Sequence, residues 1–266
     1  MTSCSLIIST YNWLPALELC LESIMLQSVL PDEIIIADDG SGKDTTDFIA
    51  RFSAQSKVPV QHVWQPDEGF QLARIRNKAI AVAEYEYIIQ IDGDLILHKD
   101  FIKDHLNFQR KGYFTTGSRM LLSPKTTEAL FDKKSIDLKK NSKENKNYFN
   151  SLRIPFLQDF FSQRYKNKGR HKYYVKGCNM AFWKIDLLKV NGYNEDFSGW
   201  GREDSEIAIR LINAGVNKRF LKFGGVCYHL YHKEASRELE ERNIRLMNDA
   251  IDNKIIRASN GISRYL

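Results

Sequence analysis

Two carboxylates one residue apart, Asp92 and Asp94, close an apolar, β-prone run over 87–91. That composition suits a strand buried on both faces, and strand side chains at i and i+2 point the same way. Gly93 relaxes the backbone for a turn. Both carboxylates can then converge on one ligand at the carboxyl end of a strand, where open α/β sheets bind. Hard oxygen donors there suit Mg²⁺ or Mn²⁺ bridging a diphosphate. On its own the pattern also reads as a polar strand end before a turn. A second acidic pair, Glu203-Asp204, follows Gly199-Trp200-Gly201 and opens a helix predicted over 205–214. Acids are common in a first helical turn because the macrodipole favours them, and that dipole also keeps a carboxylate ionised, as a general base requires. Trp200 offers a flat platform to a sugar face, or fills the core. Two histidines three apart, His229 and His232, lie further on; such a pair is usually structural or exposed.

These groups need a sheet to position them. Strands are predicted at 5–9, 33–37, 60–64 and 87–91, alternating with helices at 14–28, 45–56 and 72–83. That order favours a parallel sheet with right-handed crossovers. Polar residues stand at three successive strand ends: Thr10 and Asn12, Asp38 and Asp39, then Asp92 and Asp94. Asp39 could accept a base N–H such as that of uracil, or serve as a turn residue before Gly40. No glycine occurs in 9–13, which argues against both a dinucleotide fingerprint and a P-loop. A helix at 101–110 and a strand of the same sheet at 113–120, carrying Arg119, come next. The Lys-, Asn- and Ser-rich stretch 132–150 reads as a mobile surface insertion. An aromatic stretch, 154–161, and a basic run, 164–176, follow it. One reading is an acceptor-side flap that contacts an anionic glycan, a lipid diphosphate or the inner membrane surface; the other is a solvated loop. Strand-like composition returns at 174–182, and 233–266 reads as a charge-patterned, largely helical tail without chemistry.

Composition bounds the class. Of 266 residues, 43% are hydrophobic and 27% charged, which excludes a disordered chain. No apolar run approaches the roughly 18 residues of a membrane span. The first residues lack a basic region and a long apolar core, so no signal peptide is expected and a cytoplasmic protein is. Four widely spaced cysteines suggest free thiols. A net charge of +6 permits anionic partners, but no docking motif for nucleic acid accompanies it.

S-T-Y-N, A-D-D-G-S, E-G-F-Q-L-A-R-I-R-N and I-D-G-D, in that order within 5–98, resemble family 2 glycosyltransferases of the GT-A fold. The resemblance implies an α/β fold, a Rossmann-like, mostly parallel central sheet flanked by helices in a single domain. It implies a UDP-sugar donor and a divalent metal, Mn²⁺ or Mg²⁺. Asp39 would contact uracil, Asp92 with Gly93 the ribose or uridine side, and Asp94 the metal. Thr10 and Asn12 would join the nucleotide site, and Arg74 or Arg76 would lie near the base or diphosphate; the A-R-I-R-N spacing leaves both open. N-G-Y-N-E-D-F-S-G-W-G-R-E-D is similar to the acceptor-side motif of family 2 enzymes and of the β-1,4-galactosyltransferase C-terminal region. By that likeness Asp204 is the base, Glu203 assists acceptor binding, and Asn179, Trp200 and Gly201 bind substrate. His232 completes the metal site and His229 is a further ligand, a mixed N/O set that suits Mn²⁺ better than Mg²⁺.

The implied organisation is a nucleotide-sugar half at 1–120, a variable basic flap at 121–175, an acceptor and catalytic half at 176–235, and a helical tail at 236–266. The implied reaction is inverting transfer of a hexose or N-acetylhexosamine to a hydroxyl of a glycan or lipid-linked acceptor, as in bacterial polysaccharide or chondroitin-type synthesis. A sugar-nucleotide nucleotidyltransferase would want a glycine-rich loop after the first strand. A non-catalytic glycan-binding module would have no use for a nucleotide pocket, a metal site and a base together.

Overall fold

Alternate residues of the first strands face opposite sides of one sheet, and this sorts the core into two layers. Leu6, Ile8, Ile34, Ile36, Ile89 and Ile91 pack on one side; Ile7, Ile35, Ala37 and Ile88 pack on the other. Strands apolar at every position are buried on both faces, and each such side chain contributes about 1.5–3 kcal/mol by leaving water. The computed structural model describes residues 2–138, 144–233 and 236–266. In chain order the elements begin β1 (Cys4–Thr10), α1 (Leu14–Met25), β2 (Glu33–Asp38), α2 (Lys43–Gln55), β3 (Val60–Trp64), α3 (Leu72–Val82) and β4 (Tyr87–Asp92). Then come β5 (Leu95–Leu97), α4 (Phe101–Phe108), β6 (Tyr113–Thr116), β7 (Met120–Leu121), α5 (Pro124–Lys133) and α6 (Gln158–Ser162). The last are β8 (Asn179–Trp183), α7 (Lys184–Lys189), α8 (Glu203–Asn213), β9 (Asn217–Phe220), β10 (Cys227–His229) and α9 (Glu240–Asp252).

Among the described residues the main sheet runs β3-β2-β1-β4-β8-β6-β9, and a small second sheet runs β5-β10-β7. The first four strands are parallel, as the alternating pattern implies. β8 enters antiparallel to both β4 and β6, so the sheet is mostly parallel. No described helix is long and apolar enough to cross a membrane, and all four cysteines are free and buried.

Five expectations need correction. The strand read over 113–120 is two strands in two sheets. Gly117 lies so close to the Asn179 side chain that a Cβ there would meet it at 2.4 Å, and the chain leaves the main sheet at that point. Arg119 therefore sits in the link between sheets. The strand read from 174 starts only at Asn179, and α8 begins two residues early, so Glu203 and Asp204 are its first residues. Of the insertion read over 132–150, residues 139–143 lie outside the described part. Its flanks are not simply solvated: α5 reaches Lys133, and Lys146 pairs with Leu121 across an antiparallel bridge. Finally, the tail reaches the site: Arg237 and Glu240 line the main cavity.

Asn179, expected to bind substrate, is fully buried and does not reach the cavity. Its Nδ2 donates to the carbonyls of Ser118 and Gly225 at 3.0 and 2.9 Å, and its Oδ1 lies 3.0 Å from His105 Nε2. It locks β8 to the links on either side of the second sheet. Asn179→Ala strands the buried Gly225 carbonyl, weakens the hold on that of Ser118 and leaves a cavity, so urea unfolding should show a loss of about 2–4 kcal/mol. A substrate-binding Asn179 would leave the urea midpoint unchanged and raise KM instead.

Candidate active site

The strand ends of β1, β2 and β4 open into one cavity of about 1130 Å³. Thr10, Asp39, Asp92, Gly93 and Asp94 line its floor, and Arg119, Lys176, Gly177, Trp200, Gly201, Glu203, Asp204, His229 and His232 line the rest. Gly93 needs space rather than conformational freedom. Its φ is not positive, but a Cβ would press on the Ser9 carbonyl at 3.1 Å.

Arg76 occupies the centre and is only 1% exposed. Its Nη2 donates to Asp92 Oδ1 at 3.0 Å, its Nη1 to Asp204 Oδ1 at 2.8 Å and Glu203 Oε1 at 3.5 Å, and its Nε to Ser9 Oγ at 3.3 Å. Every nitrogen of the fork is committed, so Arg76 gathers carboxylates and has no free fork for a diphosphate. Arg74 points outward and pairs with Glu68 at 2.6 Å, away from the residues that line the cavity. Burial disfavours the Arg76 charge, but Asp204, Asp92 and Glu203 outweigh it and hold the guanidinium pKa above its ordinary value. Burial pushes the Glu203 carboxyl up to about 8, with the Asp204 charge adding to it. Burial raises Asp92 as well, to about 6, against the pull of Arg76.

Residues with no signature of their own brace this cluster. The Tyr193 ring lies 5.2 Å from the Arg76 guanidinium carbon. Tyr193 Oη donates to Gln90 Oε1 at 2.9 Å, and Gln90 Nε2 donates to the Gly177 carbonyl at 3.0 Å. Gly177 closes the ring: a Cβ there would fall 1.8 Å from Asp204 Oδ2, so only glycine lets Asp204 sit where it does. The signal for Gln90 was a lone amide inside an apolar strand. Gly199 and Gly201 hold φ of +69° and +100°, and Arg202 follows at +79°. This left-handed run turns the chain into α8 and aims Glu203 and Asp204 at the cavity. The tail steadies it: Arg237 lies 5.0 Å from the Trp200 ring, and Asn243 Nδ2 donates to the Ser198 carbonyl at 3.1 Å.

Asp94 turns the other way from Asp92, so the two carboxylates divide between two clusters instead of converging. Asp94 Oδ2 lies 3.3 Å from His229 Nε2 and 3.2 Å from His232 Nε2, while its Oδ1 is buried with no hydrogen-bond partner. The three donor atoms lie within 4.8 Å of one another. A carboxylate within reach of two imidazoles, its other oxygen left without a partner, fits a divalent ion of Mn²⁺ type. Burial pushes Asp94 up, yet the two histidines hold it below the usual carboxylate range. Burial lowers His229 to about 4, leaving it neutral, the form in which imidazole ligates. His232 Nδ1 lies 2.7 Å from the Lys233 carbonyl, which orients the ring with Nε2 inward.

At the far end, Asp39 accepts from Gln71 N at 2.8 Å and Gln65 Nε2 at 2.5 Å, and burial raises its pKa. Thr10 lies beside it, its carbonyl accepting from Asp39 N at 3.0 Å. Asn12 does not line this cavity; its side chain accepts from Gly42 N at 3.0 Å and holds a loop. Arg119, which carried no assigned role, is a cavity cation whose Nη1 donates to Cys178 Sγ at 3.0 Å.

The chain belongs to glycosyl transferase family 2, whose family model matches residues 5–183. A second family model, described as the N-terminal domain of galactosyltransferase, matches residues 159–233. The chain is 26% identical over 239 residues to the chondroitin synthase of Escherichia coli, a match spanning 85% of this chain and 34% of that protein. Among solved structures it resembles S. aureus TarS (residues 1–349) in complex with UDP, with TM-score 0.66, 17% identity, and 99% of this chain and 68% of the other covered. The mannosyltransferase PcManGT of Pyrobaculum calidifontis, solved with GDP-Man and Mn²⁺, gives TM-score 0.62 at 17% identity over 95% of this chain and 64% of the other. These neighbours share the GT-A architecture: a mostly parallel sheet flanked by helices in one domain.

Arg76→Met removes a buried cation from among three carboxylates and should destabilise the protein by about 3–5 kcal/mol. The loss should shrink as pH falls toward 4, where the stranded acids protonate; a thermal-melt series over pH checks both. Glu203 gives a second pH signature. Its folded pKa lies above its unfolded one, so its contribution to stability is complete below about pH 4.5 and disappears as pH rises through about 8. Glu203→Gln removes that titration, and its melting temperature should vary less over this window than the wild type's, both measured in chelator.

Proposed function

We propose that the chain transfers a sugar from a UDP-sugar to a hydroxyl of a glycan or lipid-linked acceptor, with metal dependence and inversion at the anomeric carbon, in cell-surface polysaccharide synthesis. The observation that carries this reading is a single cavity holding both an Asp94–His229–His232 cluster and a carboxylate, Asp204, fixed by Arg76. Uridine at the Asp39 end is supported by a buried acceptor at a strand terminus and by UDP in the TarS complex.

Asp94, His229 and His232 would hold Mn²⁺ or Mg²⁺. Such an ion supplies Lewis-acid stabilisation of a leaving diphosphate. Arg119 faces the same cavity and adds a fixed positive charge beside the developing negative one. Asp204 takes the proton as the acceptor O–H bond breaks; the acceptor oxygen bonds to the anomeric carbon as the bond to phosphate breaks, and its electron pair leaves with UDP. Burial and the Asp204 charge favour the protonated form of Glu203, which would offer acceptor hydroxyls a hydrogen-bonding partner while Asp204 serves as the base. Trp200 and Gly201 shape the acceptor side. Inversion is supported by the acceptor-side carboxylate Asp204, which Arg76 holds in a fixed orientation as a base.

Asp204→Asn keeps shape and hydrogen bonding but cannot accept the proton. Transfer should fall by about 100-fold or more, while UDP with Mn²⁺ still raises the melting temperature as in wild type. Wild-type turnover in that variant would sink the mechanism. A UDP-induced shift of equal size with and without chelator would rule out the metal.

A further inference from the structure

Over 149–160 the fold leaves three phenylalanines in water: Phe149 is 74% exposed, Phe156 83% and Phe160 54%. Single exposed apolar residues are ordinary, whereas a cluster of large ones marks a contact surface. These three fall within 149–160, on three successive short turns: Tyr148–Ser151, Pro155–Leu157 and α6. The turns are built into the fold rather than hanging free. Ile154 N and Gln158 Nε2 both donate to the Phe223 carbonyl, at 2.9 and 3.1 Å. Lys222 Nζ donates to Asn150 Oδ1 at 3.1 Å, and the Phe161 and Phe223 rings meet edge-on at 5.4 Å. Two adjacent residues after β9 thus hold all three turns together.

The charge around them is one-sided. Residues 144–176 contain eight lysines and arginines against two acids. The Arg164 guanidinium lies 4.5 Å from the Phe160 ring centroid, and Lys168 and Lys172 are exposed beyond it. Apolar rings bordered by cations match the boundary between anionic headgroups and acyl chains. We propose that the face formed by 148–164 docks on an anionic lipid bilayer, with Phe149, Phe156 and Phe160 entering the headgroup–acyl boundary. Asn150 Nδ2 donates to the Arg119 carbonyl at 2.9 Å, and Lys146 lines the cavity. Docking would therefore hold the cavity beside the membrane, which suits a lipid-linked acceptor if the transfer reading holds. The docking itself does not rest on that reading.

The test is co-sedimentation of the full chain with phosphatidylcholine vesicles, with and without one-third phosphatidylglycerol as a test composition, in the absence of sugar nucleotides. Wild type should sediment with the anionic vesicles and far less with the neutral ones. Phe149→Ser, Phe156→Ser and Phe160→Ser combined should reduce binding by on the order of a thousandfold, since each ring's transfer from water is worth about tenfold. The melting temperature should be unchanged. Lys168→Glu with Lys172→Glu should abolish the preference for anionic vesicles. Asp204→Asn should bind vesicles as wild type does, separating docking from catalysis. Absence of vesicle binding, or equal binding by the triple serine variant, overturns the proposal. So does a change of oligomeric state in that variant when wild type ignores vesicles, since the face would then be a protein interface.

Discussion

The Arg76 guanidinium is buried where bulk water cannot solvate it, and Asp92, Glu203 and Asp204 surround it and offset that loss. Removing such a charge from water costs several kcal/mol, and a partner recovers this only with good geometry and full hydrogen bonding. Here every guanidinium nitrogen has an acceptor. Three acids around one cation would still leave an excess of negative charge. Burial and the Asp204 charge favour a proton on Glu203, which relieves part of it. What remains lies on the cavity wall, where it biases the site toward cationic ligands and keeps Asp204 in a defined orientation.

A turn of three residues then divides the labour. Asp92 ends β4 facing α3 and Arg76, while Asp94 begins the approach to β5 and faces β10. Had the two carboxylates pointed the same way, Arg76 would compete with the histidines for both. Separated, they give one cluster that orients a base and another with an unsatisfied oxygen that suits an ion. The small second sheet exists at this point for a geometric reason: it brings His229, distant in sequence, into register opposite Leu95.

Much of this was legible in the chain. The strands followed from apolar runs, and the polar groups at their ends marked the cavity floor. The choice between Arg74 and Arg76 was legible too, through a signal other than the motif. Successive helical residues turn by about 100°, so Ala73, Arg76, Asn77 and Ile80 share one face; that face is the buried one, and Arg74 falls outside it. Asn179 misled because a polar residue beside a site motif reads as a ligand contact, whereas its partners are backbone carbonyls of distant links. Such contacts leave no trace in local periodicity. The roles of Gly177 and Gln90 were hidden for the same reason: each is defined by what approaches it from another part of the chain.

The two matched segments overlap in sequence, but the chemistry joins them at Arg76. Arg76 and Asp92 lie in the first, before residue 159; Glu203 and Asp204 lie in the second, beyond residue 183. More than 120 residues separate Arg76 from Asp204, the separation along the chain being 128. Until α8 docks, Arg76 faces Asp92 without its stronger partner, and Asp204 has no cation to fix it. Neither half can therefore bury its share of the site alone at low cost. Groups in one buried ionic network couple strongly, so the base on the acceptor side is ordered by the same contact that completes the floor beneath the nucleotide. The tail adds to this by bracing the Gly199–Gly201 turn from behind through Arg237 and Asn243. The position of Asp204 is thus set from three separated parts of the sequence, which is why its immediate neighbours alone do not determine it.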